Sequence, residues 1–125
     1  MPVPRITREE LATLIQGDDI AARPVVVDAR LKYPFEHSTL RLPGAVRVSP
    51  IALDFEGLPG DRLLVVYDSD PGELVAAEVV AALIAKGFRA AALAGGLPDW
   101  IAANLPTEPK DTPRGAAPAA GAPQG

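Results

Sequence analysis

The sequence predicts an α/β fold, with a mostly parallel central sheet and helices on both of its faces. Three observations predict it. Two short runs, PVVVD (24–28) and RLLVVY (62–67), are apolar and rich in β-branched residues, the pattern of strands covered on both faces. Strand and helix patterns then alternate along the chain, which is the arrangement of parallel sheets with helical crossovers. Finally, 125 residues with 48% hydrophobic content is the size of one domain with one core.

Each element follows from local chemistry. Thr7-Arg8-Glu9-Glu10 is a capping box: the Thr side chain accepts from the amide of Glu10, whose carboxylate reaches back. Leu11, Leu14 and Ile15 follow at helical spacing, and Gly17 is the stop. After the strand at 24–28, a loop from Ala29 to Pro43 leads to a brief strand over Ala45 to Val48. The second buried strand ends at Tyr67. From Glu73 to Lys86, Ala76, Val79, Val80, Leu83 and Ile84 share one helical face, and Gly87 ends that helix. RAAALA (89–94) reads as a further strand. Gly95-Gly96 turns the chain into a short helix over Leu97 to Asn104. The domain is expected to span 1–106. Residues 107–125 are expected to be a disordered tail, because the last twenty residues contain five Pro, three Gly and nothing large and apolar.

Charge and composition exclude several functions. Twelve basic against sixteen acidic residues give −4, and no Lys/Arg cluster is present to reward nucleic acid or an anionic membrane. The chain contains no cysteine. Disulfides, thiolate metal sites and cysteine nucleophiles within it are therefore excluded. No apolar leader and no window of 18 apolar residues is visible, so a soluble, cytoplasmic protein is expected.

VVVDAR (25–30), LPGAVRV (42–48), LLVVY (63–67), KGF (86–88) and LAGGLPDW (93–100) occur in the order and spacing of a rhodanese-like domain. The resemblance covers about residues 5 to 106 and rests on the combination of Asp-x-Arg, Pro-Gly-Ala and Gly-Gly-x-x-x-Trp. It implies structural roles for Asp28 and Arg30, for Pro43 and Gly44, for Gly95 and Gly96, and for Trp100 as the buried aromatic under the last helix. It also implies that the residue after Tyr67 is a catalytic cysteine. That cysteine would carry sulfane sulfur as a persulfide, in a loop whose amides point inward at a helix N-terminus.

In this chain that residue is Asp68. The loop Asp68-Ser69-Asp70-Pro71-Gly72-Glu73 also has Glu73 where the family commonly has a basic residue, and Leu74 where it has Ser or Thr. Leu40-Arg41 replaces the usual Gly-His. No catalytic residue, cofactor or metal is assigned. Three readings of Asp68 stand: a carboxylate that replaces the missing anion and caps the helix, part of a ligand site, or a phosphate acceptor. The loop as a whole has three carboxylates and no cation, so thiosulfate would be repelled and a cation is the alternative ligand. His37 and Ser69 have no recognisable catalytic partner. The expected function is an inactive rhodanese-like domain that acts as a binding or regulatory module with an unidentified protein partner. The alternative is a small-ligand or cation-binding domain, or an enzyme of altered chemistry, that uses the acidic loop 68–73.

Overall fold

A computed structural model of the chain describes residues 3–112. Five strands form one parallel sheet: β1 (Arg5–Ile6), β2 (Val25–Asp28), β4 (Val46–Arg47), β5 (Leu64–Tyr67) and β6 (Ala90–Leu93). Their order is β1-β6-β5-β2-β4. In β2 and β5, Val25 lies beside Leu64 and Asp28 beside Tyr67. The helices are α1 (Arg8–Gln16), α2 (Lys32–His37), α3 (Leu74–Ala85) and α4 (Gly96–Ala102).

Alternate strand residues supply two separate cores. Val26, Val65, Tyr67, Ala91 and Leu93 meet Leu11 of α1 and Leu97 and Trp100 of α4 on one face. Val27, Leu64, Val66, Ala90 and Ala92 meet Ala76, Val79, Val80 and Leu83 of α3 on the other. The continuous apolar strands are therefore buried on both sides, as their sequence implies. Ala90 and Ala92 of β6 face α3, and their small side chains let that helix approach the sheet closely.

The capping box at Thr7 forms in both directions, with Glu10 N to Thr7 Oγ1 at 3.1 Å and Thr7 N to Glu10 Oε1 at 2.9 Å. Two expected face residues are not buried: Leu14 and Ile84 lie at the margins of their helices and remain exposed. The segment read as loop from Ala29 to Pro43 contains α2 and a two-residue strand, β3 (Leu40–Arg41). Pro34 does not prevent α2, because it sits in the first turn, where no intrahelical N–H is required.

Ordered pairing also extends beyond residue 106. Residues 108–109 form β7 (Glu108–Pro109), antiparallel to β3. Polar contacts hold this segment, among them Arg41 Nε to Glu108 Oε2 at 2.6 Å, Arg41 Nη2 to the Thr112 carbonyl at 2.7 Å, Lys110 Nζ to the Phe35 carbonyl at 2.6 Å, and Trp100 Nε1 to the Pro106 carbonyl at 2.8 Å. Composition could not reveal it. The remainder of the expected tail, 113–125, lies outside the described residues.

Candidate functional site

The C-terminal ends of parallel strands are where α/β folds place their sites. Here β5 ends at Tyr67, and residues 68–73 lead into α3. Asp68 is 1% exposed. Its Oδ2 accepts from the Ala76 amide at 2.7 Å, in the first turn of α3, and its Oδ1 from the Asp70 amide at 3.0 Å. Burial pushes its carboxyl above the ordinary value, and the amides of Ala76 and Asp70 only partly offset that. The carboxylate thus supplies acceptors for buried donors, while its charge is a burden rather than a gain.

Asp70 caps the same helix from the surface, with Oδ1 accepting from Gly72 N at 3.0 Å and Oδ2 from Leu74 N at 3.3 Å. Its carbonyl accepts from Glu73 N at 2.9 Å. The amides of residues 70, 72, 73, 74 and 76 all have acceptors inside the loop. None of these five amides remains to hold an external anion. Pro71 and Gly72 form the exposed turn of the loop, and Ser69 is half-buried.

Glu73 changes the expected electrostatics. It adopts φ 56°, in the left-handed region, and its side chain turns inward. Arg5 of β1 donates to it twice, Nε at 2.6 Å and Nη2 at 3.1 Å, and Gly95 N donates at 3.0 Å. Burial alone would push the Glu73 carboxyl up, but Arg5 and the Gly95 amide outweigh it and hold it below the ordinary value. The loop therefore does have a cation, contrary to the sequence expectation. Arg5 lies 68 positions away in the chain, and no local pattern could have signalled it.

The cation-site alternative is left without converging ligands. Asp68 faces amides, Asp70 caps turns, and Glu73 is paired. Among the described residues no group of three His, Cys, Asp or Glu side chains is placed to hold a metal.

Of the motif residues, Gly95 and Gly96 lie against this loop. Gly96 is in the left-handed region at φ 62°, and a Cβ there would lie 2.8 Å from the Asp70 carbonyl and 2.9 Å from that of Asp68. Leu97 N completes the seam by donating to the Asp68 carbonyl at 2.9 Å. Gly95 is closed to side chains for another reason, because its Cβ would strike Asp99 at 2.5 Å. Pro43 and Gly44 occupy the centre of a turn closed by Ala45 N to the Leu42 carbonyl at 3.1 Å, with the positive φ of Gly44 at the third position as a type II turn demands. Trp100 is fully buried under α4.

Asp28 and Arg30 form a buried ion pair with Arg30 Nη2 to Asp28 Oδ2 at 2.7 Å. Arg30 also donates to the Leu40 carbonyl at 2.9 Å, while Arg47 Nη1 donates to the carbonyls of Asp28 and Arg30. The pair joins the end of β2 to the segment after α2, and Arg47 of β4 adds to it. His37 packs on Tyr33 with ring centroids 4.1 Å apart, on α2.

With that geometry established, comparison with known proteins is decisive. The family model described as Rhodanese-like domain matches residues 7–103. The chain belongs to the rhodanese-like domain family. A search of curated proteins returns no match. Among solved structures, a full-length protein from Lactobacillus plantarum is 26% identical at TM-score 0.74, over 84% of this chain and 87% of that one. A rhodanese-related protein from Thermoplasma volcanium shares the fold at 18% identity and TM-score 0.66, over 84% and 97%. A thiosulfate sulfurtransferase from Pseudomonas aeruginosa is 25% identical at TM-score 0.70, over 88% of this chain but 20% of its own. This rhodanese-like domain has no cysteine, so no thiol of this chain can carry a persulfide. No described helix is long and apolar enough to cross a membrane.

Proposed function

We propose that this rhodanese-like domain is a binding or regulatory module that performs no persulfide-based sulfur transfer. The observation that carries the reading is the self-filled cradle. By the family resemblance Asp68 takes the nucleophile position, and the amides of Asp70, Gly72, Leu74 and Ala76, which could otherwise turn to a thiolate or bound anion, are already satisfied by Asp68 and Asp70. The activity named for the Pseudomonas relative requires a nucleophile that this chain replaces with a buried carboxylate, a poor nucleophile toward sulfur.

A protein is the partner that best suits the surface around the loop. Leu31, Tyr33, Ile51, Leu53 and Leu74 are large, apolar and exposed. They lie in the segments that follow β2, β4 and β5, three adjacent strands, at their C-terminal ends. Such a rim favours a protein surface over nucleic acid.

Two measurements test this. Purified chain given thiosulfate or a persulfide donor, with cyanide as acceptor, is expected to show no transfer above the blank; measurable turnover overturns the inactive assignment. The chain with both Leu74→Lys and Ile51→Lys is expected to lose a protein that the unaltered chain retains from native lysate, at an unchanged thermal midpoint. Equal retention by both chains refutes the rim as the binding surface.

A further inference from the structure

A groove of about 360 Å³ opens beside the loop, between the start of α1, Glu73 and the turn from β6 into α4. Its size lies near the lower end of small-ligand sites. Arg5, Arg8, Glu9, Glu73 and Asp99 supply its charges. Glu73 is fully occupied by Arg5 and Gly95 N. The other four are each only half used. Arg5 spends Nε and Nη2 on Glu73, and Arg8 spends Nε on Glu9 Oε2 and Nη1 on Asp99 Oδ1, both at 2.7 Å. Among the described residues this leaves Arg5 Nη1 and Arg8 Nη2 as donors, and Glu9 Oε1 and Asp99 Oδ2 as acceptors, without protein partners.

We propose that this groove binds a small zwitterion of the free α-amino acid class, its carboxylate on Arg5 and Arg8 and its ammonium on Asp99 and Glu9. The choice follows from the signs of the unused groups. A dianion such as phosphate would meet the two guanidinium groups but also three carboxylates. A simple ammonium would meet two guanidinium groups. A ligand bearing both charges on one carbon satisfies both sets, and charge-assisted hydrogen bonds to each end give orientation as well as affinity. The Arg8–Asp99 bond links α1 to α4 beside the groove, so this one pair is already oriented before a ligand arrives. The inference stands apart from the binding-module reading, since it does not involve the amides around Asp68 or the apolar rim.

The test is calorimetric titration of the full chain with glycine, glutamate and arginine, and with acetate, methylammonium and inorganic phosphate as single-sign probes. At least one amino acid is expected to bind saturably, with acetate, methylammonium and phosphate at least about tenfold weaker. Arg8→Gln and Asp99→Asn are each expected to weaken that binding about tenfold. Glu9→Gln, which leaves the Arg8–Asp99 link in place, is expected to weaken it too, and covers the case in which the other variants loosen the fold. Amide resonances of Thr7, Ala94 and Gly95 should move on binding. No saturable amino acid binding overturns the proposal, as does phosphate or acetate binding equally well, or affinity unchanged in both Glu9→Gln and Arg8→Gln. None of these results bears on sulfur transfer, which the separate assay decides.

Discussion

Asp28 ends β2, and Asp68 directly follows the end of β5 on the adjacent parallel strand. Both are 1% exposed, yet they are accommodated in different ways. Asp28 is met by a cation: Arg30 clamps both of its oxygens, and Arg47 stands 3.8 Å away. Asp68 is met by backbone amides alone. In the first case, two buried charges justify one another, and each becomes a liability if the other is lost. In the second, the carboxylate is valuable for its acceptor atoms. Burial has already made its ionised form costly. One strand end is a brace built from charge, and the other is a filled cavity that happens to contain one.

The strongest way to break this comparison is Asp28→Ala, which leaves the Arg30 guanidinium buried and unpaired. A loss of about 3–5 kcal/mol is expected in urea unfolding, with most of it recovered in Asp28→Ala/Arg30→Leu. If the double variant is no better than the single, the pair is not a coupled unit.

Next in size is Asp68→Leu, which orphans the Ala76 and Asp70 amides and should cost about 2–4 kcal/mol. Asp70→Ala removes only a surface cap and should cost about 1 kcal/mol. Equal urea midpoints for the two variants would refute the assignment of Asp68 as an internal anion.

The smallest effect sharpens the contrast through pH. The folded state holds the Glu73 carboxyl below its ordinary value, so Glu73 contributes stability above about pH 4.3 that is lost as pH falls through its folded value. Asp68 is shifted up, so its ionisation opposes folding, and lowering the pH relieves that. The advantage of the unaltered chain over Glu73→Gln should therefore shrink on acidification, whereas its standing relative to Asp68→Asn should improve. Parallel trends in the two comparisons, followed by urea titration from neutral pH to about pH 3, would contradict the assigned environments.

Much of this was legible from sequence because it depends on neighbours in the chain. The buried strands show in their β-branched runs, the start of α1 in Thr7 and Glu10, and the family in Asp28, Arg30, Gly95, Gly96 and Trp100 at their spacing. The absence of a thiol is read directly from composition, and the place of Asp68 at the head of the loop from its position after Tyr67. The misses share a different cause. α2 is short and contains Pro34, so its pattern is too brief to distinguish from a loop. β1 and β7 are two residues each and exist only because β6 and β3 offer them partners.

What the sequence determined by itself, then, was the layered α/β scaffold and the absence of a thiol, since periodicity, turn residues and residue identity are local properties. Tertiary structure alone decided the character of the site. It brought Arg5 onto Glu73, closed the five loop amides onto Asp68 and Asp70, pressed Gly96 against their carbonyls and tied residues 106–112 to β3 through Arg41, to α2 through Lys110 and to α4 through Trp100. Charge pairing and amide satisfaction depend on distance in space, and residues 68 positions apart in the chain carry no local trace of lying 2.6 Å apart in the fold.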